Sequence, residues 1–332
     1  MNPSAINELL DRYFEPIAAL REIGPSNIFI NGADVIFYEK SGKKTQWAEP
    51  AWSNDMELTN SIKLLANSLA QPIKSAHPLL DARLRDGSRV NAVLPPISQH
   101  PCISLRLFPK RQLRHTDLVA SGSIEEAQMA YLINAVREQK NMLVSGCTDA
   151  GKTTLLKALC PFIPPERRLL ILEDTAELDL PLEEHPNMIS LESARRSEVK
   201  IEMASLVVNS LRMAPDALVL GELRDSKTAN ALRTVLNTGV RGIMSTLHAN
   251  SAQETLTRVH DLIAEENPNI SYKILAKNIN ANIDVVVNMT KTDSRGRHVH
   301  EILSREGDTW KNAKLDSFAQ KAKTHRKPRK PI

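Results

Sequence analysis

The stretch that decides the fold runs from Asn141 to Leu159 and reads NMLVSGCTDAGKTTLLKAL. It opens as an apolar, strand-like run and closes on KTTLLKAL, which has helical spacing. Between them Gly146, Cys147, Thr148, Asp149, Ala150, Gly151, Lys152 and Thr153 match GxxxxGK[ST]. Glycines in such a loop let backbone N–H groups turn inward around a phosphate, and the helix N-terminus adds partial positive charge. Residues 146–154, ending on Thr154, are therefore the candidate nucleotide loop. Lys152 is placed to reach the β- and γ-phosphates, and the Thr153 hydroxyl to ligate Mg²⁺. Lys152 is expected to be a solvated charge awaiting phosphate. The plain alternative is a chance glycine turn before a helix, and the strand–loop–helix order argues against it.

Four more apolar runs follow: RLLILED (168–174), DALVLGEL (216–223), GIMSTLHA (242–249) and DVVVNM (284–289). Helix-like segments separate several of them, as in a parallel sheet with crossover helices, and their continuous apolar character suits strands covered on both faces. Ser123 and Glu126 have capping-box spacing and open a helix through Arg137. This α/β domain is assigned to residues 123–305, and a basic, disordered tail is expected over 306–332.

Residues 1–110 read as a smaller α+β domain. SNIFING and ADVIFYEK are short strands meeting at Asn31-Gly32. Asn54 with Glu57 makes a capping box ahead of Leu58, Ile62, Leu65 and Leu69, the apolar stripe of a helix ending near Pro72. ARLRDGSRVNAVLPP is a hairpin turning at Asp86-Gly87, and CISLRLFP is a further strand. The polar residues 111–122 are the candidate linker.

Composition narrows the function. Hydrophobic residues make up 42% and charged residues 25% of the 332, a globular balance. No apolar run reaches the ~18 residues of a membrane helix. The first twenty residues carry Glu8, Asp11 and Glu15 without a basic start and apolar block, so no secretory signal is expected and the protein is placed in the cytoplasm. Three cysteines, Cys102, Cys147 and Cys160, form no CxxC pair and suit a reducing compartment. Six of the 43 basic residues lie in 319–332 with no acid, which leaves 37 basic against 39 acidic in residues 1–318, net −2. The body is nearly neutral and has thirteen aromatics for base stacking, so no stable nucleic-acid binding is expected of it. The tail is the candidate contact for anionic lipid, DNA or an acidic partner.

A nucleotide loop calls for acids at neighbouring strand ends. Glu222 ends DALVLGEL, where a carboxylate can polarise the attacking water or hold the Mg²⁺ shell. Glu173, Asp174 and Glu177 cluster in ILEDTAE as candidate metal-shell residues, and His248 follows GIMSTL as a candidate γ-phosphate sensor. Taken singly, each is a residue type ordinarily found as a solvated turn or strand end.

The ordered segments GCTDAGKTT, ILEDTAEL, SLRMAPDALVLGELRD and GIMSTLHANSAQETLTRV resemble the Walker A, Asp-box, Walker B and His-box of the secretion traffic ATPases. DARLRDGSRVNAVLPP with LRLF resembles that family's N-terminal domain, and the likeness spans roughly residues 25–300, strongest toward the type IV secretion and tight-adherence pilus branch. The resemblance implies a RecA-like domain with ATP and Mg²⁺ as cofactors. It implies a homohexameric ring, peripheral at the inner membrane, that works with platform or coupling proteins of a secretion, conjugation or pilus machine. It assigns Glu222 as the catalytic base or water-orienting group, and Glu173, Asp174 and Glu177 as the Asp box. It makes Arg89 and Arg106 the N-domain arginines that reach a γ-phosphate on domain closure, a task suited to a permanent, forked charge. A nucleic-acid motor and a low-turnover nucleotide-binding scaffold are the alternatives. The chain departs from the family pattern at Cys147 and Asp149, where glycine is usual, and at Val240, where NTGH has its histidine. The four-cysteine zinc module of some type II members is absent. Asp149 tolerates positive φ, and its carboxylate is expected to point away from the phosphates, although an inward orientation stays open.

Overall fold

The N-terminal half forms six short strands, four of which alternate buried with more exposed side chains. They are β1 (Asn27–Asn31), β2 (Ile36–Lys40), β3 (Lys43–Trp47), β4 (Leu79–Arg83), β5 (Arg89–Val93) and β6 (Cys102–Arg106). The computed structural model describes residues 12–40, 42–49, 51–74, 76–84, 87–107, 113–178, 180–193 and 201–318. The chain divides into two compact units, Met1–Gln112 and Leu113–Ile332.

In the first unit the strands form one antiparallel sheet, in the order β3-β2-β1-β6-β5-β4. One face carries Ile28, Ile30, Leu80, Ala82, Val90, Ala92, Ile103 and Leu105, all buried. It shares a core with Leu58, Ile62 and Leu65 of α1 (Asp55–Ser68). Asn54 caps that helix by accepting from the Glu57 N–H at 3.0 Å, and the Glu57 carboxylate accepts from Ser53 N at 2.8 Å. The opposite face holds a row of polar residues. Arg83 pairs with Arg89, Arg89 with Arg106, and Arg106 with Asn27, across four neighbouring strands.

The second unit begins inside the stretch read as a linker. Residues 115–120 form α2 (His115–Ala120), and Leu118 is buried in the core of this unit, so a linker spanning 111–122 is too long. Next come α3 (Glu126–Arg137), β7 (Met142–Gly146), α4 (Lys152–Leu159), β8 (Leu169–Glu173) and β9 (Met188–Glu192). After these come α5 (Met203–Ser210), β10 (Ala217–Leu220), α6 (Ser226–Asn237), β11 (Ile243–Leu247), α7 (Ala252–Glu266) and α8 (Tyr272–Asn282). The unit closes with β12 (Val285–Thr292), β13 (Gly296–Glu306) and β14 (Thr309–Asn312). Helix α3 starts later than expected. Its N-cap is Glu125, with Gln128 completing the box, while the Ser123 carbonyl accepts from Val299 N at 2.8 Å and is committed to a strand. The expected tail also starts too early, because Thr309–Asn312 pairs with β13; residues 319–332 lie outside the described residues.

The sheet order is β14-β13-β12-β7-β11-β10-β8-β9. It is parallel from β12 through β9, and β13 and β14 are antiparallel. Alternate residues feed two cores, as a doubly wound sheet requires. Met142 and Val144 face the core that contains α2, α3 and α4; Leu143 faces the one that contains α5 to α8. The second unit is the expected α/β domain, and the first is the smaller N-terminal sheet domain.

Buried polar groups set the register at the start of β7. Asn141 donates its N–H to Asp284 (2.9 Å) and its side-chain amide to Asn282 O (2.7 Å), and it accepts from Ile243 N at 2.9 Å. Asp284 also takes Arg241 at 2.7 Å and Arg305 at 3.4 Å. Asp284→Ala should therefore cost about 2–3 kcal/mol, since it strands the buried Asn141 N–H and removes the carboxylate partner of two arginines. The urea midpoint measures this, and an unchanged midpoint would remove the network from the account of strand order.

Candidate functional site

Loop 146–151 leaves β7 at a place where only glycine fits. Gly146 has φ +150°, and a Cβ there would stand 2.2 Å from the Met289 carbonyl oxygen of β12. Gly151, at φ +95°, occupies the N-cap of α4. Asp149 adopts φ +64°, a left-handed conformation that aspartate tolerates better than most residues. Its carboxylate pairs with Lys291 and Arg297 of the β12–β13 hairpin. Burial pushes this carboxyl up, but the Arg297 and Lys291 hydrogen bonds overcome it and hold the group below the usual aspartate value.

Lys152 is not the solvated charge expected from sequence. It is 7% exposed, and its Nζ donates to the carbonyls of Gly146 and Cys147, each at 3.0 Å. The loop curls far enough for its own main chain to satisfy the ammonium. Burial lowers the Lys152 pKa, partly opposed by the charge of Glu222. The third neighbour of Nζ is His248 Nδ1, 3.2 Å away, and His248 Nε2 lies 3.1 Å from Glu222 Oε1. The arrangement fits a neutral imidazole accepting at Nδ1 and donating from Nε2.

Strand ends bring these groups together. β11 delivers His248 and β10 delivers Glu222. Gly221 is pinned on both sides, its N–H to Leu172 O at 2.8 Å and its carbonyl to Thr246 Oγ1 at 2.7 Å. Arg224 donates to Glu222 at 2.7 Å and lies 3.9 Å from Asp174. For Glu222, burial raises the carboxyl, while Arg224, His248 and Lys152 together hold it below the ordinary glutamate value.

The remaining acids divide by role. Glu173 is buried, and its Oε1 accepts from the backbone of Glu177 (2.9 Å) and Leu178 (3.1 Å), so that oxygen is engaged in shaping the loop after β8. Asp174 accepts from Ser193 Oγ at 2.8 Å. Thr153 is half-buried as the second residue of α4, and Thr154 follows it. Among the described residues no three His, Cys, Asp or Glu converge as a metal cluster. Mg²⁺ on nucleotide needs only one or two protein oxygens beside phosphate and water, a demand that the Thr153 hydroxyl fits. Arg89 and Arg106 belong to the first unit, directly opposite one another on β5 and β6. Sequence reasoning passed over Arg224, although it stands in the quoted GELRD. It had no signal for Lys291 or Arg297, which strand pairing brings to the loop from about 140 residues away.

A parallel, doubly wound sheet with a phosphate loop on its β7 strand, and an acid and a histidine at neighbouring strand ends, defines a P-loop nucleotide-binding protein. The chain belongs to the type II/IV secretion system protein family, which it matches over residues 12–327, and it is an ATPase of that family. It is 31% identical over 292 residues to a probable conjugal transfer protein TrbB of Sinorhizobium fredii, covering 87% of this chain and 85% of the relative. With the conjugal transfer protein TrbB of Rhizobium radiobacter it shares 29% identity over 324 residues, 96% of each chain. Its fold is similar to that of the Legionella pneumophila ATPase DotB, at 20% identity and a TM-score of 0.64, covering 93% of this chain and 82% of that one.

Because the folded pKa of Glu222 is depressed, the stability it contributes is complete above the ordinary glutamate range. That contribution is lost as pH falls through the depressed value. Glu222→Gln should flatten the acid limb of the curve of Tm against pH below about pH 5. A mutant curve parallel to wild type over that range would show that Arg224 and His248 do not act on this carboxylate.

Proposed function

We propose that the chain hydrolyses ATP as a ring-forming motor of a conjugation, type IV secretion or tight-adherence pilus machine. The observation that carries this reading is the chain of contacts Lys152–His248–Glu222 beside the loop. Backbone N–H groups of residues 146–151 cradle the β-phosphate, and Lys152 exchanges its two carbonyls for phosphate oxygens. Glu222, ionised at neutral pH, orients the attacking water and accepts its proton. His248 stands between lysine and acid, placed to report whether the γ-phosphate is present. The Thr153 hydroxyl, with Asp174 and Glu222 through water, would hold Mg²⁺, which neutralises charge on the β- and γ-phosphates. Arg89 and Arg106 are proposed to add a second set of γ-phosphate contacts from the N-terminal unit, and Glu177 to act from the Asp box. The relatives named for conjugal transfer make a conjugation machine the first candidate. No described helix is long and apolar enough to cross a membrane. Attachment at the inner membrane through protein partners is part of the proposal and rests on the family resemblance.

Lys152→Ala should abolish hydrolysis and weaken ATP binding, measured by phosphate release and by titration with a fluorescent analogue. Glu222→Gln should keep nucleotide binding while turnover falls about 10²–10⁴-fold. Loss of binding in the glutamine variant would recast Glu222 as a structural or metal-anchoring group. Light scattering with a slowly hydrolysed ATP analogue tests the ring, and a monomer at every concentration would overturn it.

A further inference from the structure

The β12–β13 hairpin sets two cations face to face. Lys291 pairs in register with Arg297, and like charges directly opposite on one face of an antiparallel pair repel. Asp149 of the phosphate loop occupies the position that relieves this. Its Oδ2 accepts from Lys291 Nζ at 3.0 Å and its Oδ1 from the Arg297 guanidinium. Arg297 Nε also donates to the main-chain carbonyl of Asp149 at 2.8 Å, so one guanidinium grips both the side chain and the backbone of a single residue. The loop touches this hairpin on either side of Asp149 as well. Gly146 abuts the Met289 carbonyl, and a Cβ on Gly151 would lie 3.5 Å from Met289 Cε and 3.8 Å from Arg297 Cδ. The register of β12 against β13 slips between Asn288 and Met289, beside the loop, and such irregularities re-aim a strand next to a functional site.

Asp149, Lys291 and Arg297 have side chains 42–49% exposed, and isolated pairs of that kind contribute little. Two facts set this group apart. The arginine holds two atoms of one residue with fixed geometry, and removing the carboxylate leaves an opposed cation pair with nothing between.

We propose that Lys291 and Arg297 are positioning residues for the phosphate loop, with Asp149 serving as a built-in anion that locks residues 146–151 to the β12–β13 hairpin before nucleotide arrives. The locked loop presents its N–H groups in place, so less ordering remains to be done on binding. ATP and ADP gain alike, because both carry the phosphates that the loop surrounds. The effect on nucleotide rests on the function proposed above; the lock itself does not.

Hydrogen exchange on the full-length, nucleotide-free protein tests the lock directly, at low and high salt, in wild type, Asp149→Asn, Arg297→Ala and the double variant. Asparagine keeps the tolerance for positive φ while removing the charge and one of the two acceptor oxygens. Each single variant should exchange roughly three- to tenfold faster at residues 146–151, with Tm nearly unchanged, and the double variant no faster than the faster single. High salt should move wild type toward the variants. In Arg297→Ala, ATP and ADP dissociation constants should rise by the same factor with kcat little changed, and Arg297→Lys should restore part of the loss. Unchanged exchange in Arg297→Ala would overturn the proposal. So would tighter ATP binding in Asp149→Asn alongside weaker binding in Arg297→Ala, which would make the two cations direct phosphate ligands. Should wild type bind no nucleotide, the proposed function falls, and the exchange rates still decide the lock.

Discussion

The approach of the Met289 carbonyl to the Cα of Gly146 is the constraint on which the site depends. It can exist because β12 runs parallel to β7 in register from Val285–Met142 to Met289–Gly146, bringing the end of one strand against the exit of the other. That register follows in turn from Asn141 and Asp284, which join the starts of both strands through buried hydrogen bonds. With β7 fixed between β12 and β11, the loop leaves the sheet at one place and in one direction. The order β7-β11-β10-β8 then sets His248, Glu222 and the Glu173–Asp174 pair in sequence along the same edge. No long loop has to search for these positions; strand ends supply them.

Charges along that edge alternate. Lys152, the His248 imidazole, Glu222, Arg224 and Asp174 follow one another, each within reach of the next. A buried ammonium beside an unbalanced arginine would be costly, and a half-buried glutamate without Arg224 would titrate upward. The arrangement keeps both catalytic candidates ionised in a partly dehydrated site.

What was legible in the sequence follows the strength of each local signal. The loop, the five continuous apolar strands and the amphipathic α1 declare themselves through spacing, because burial on two faces or on one stripe dictates residue type. β3, β9 and β14 were missed, since their side chains are mostly half-buried or exposed and carry no apolar run, and so was β13, whose buried Val299, Ile302 and Leu303 are interrupted by charged and histidine residues. Helix α2 hid in a polar stretch because Leu118 is its one buried residue. Glu222 and His248 could be chosen by position after a strand. The burial of Lys152 could not, as it depends on where two carbonyls of a curled loop come to rest. Lys291 and Arg297 acquire meaning only through cross-strand register, which composition does not encode.

Lys152 already holds two main-chain carbonyls, so on the function proposed above nucleotide entry is an exchange reaction and not the filling of an empty socket. The affinity of any ligand then reflects how much more strongly its oxygens attract the ammonium than two neutral peptide dipoles do. Anionic phosphoryl oxygens win that competition, because hydrogen bonds between ions exceed those to uncharged acceptors. Ligands of similar size without that charge density lose it. On that proposal the loop selects by charge density before it selects by shape, with its own backbone as the competitor every ligand must displace.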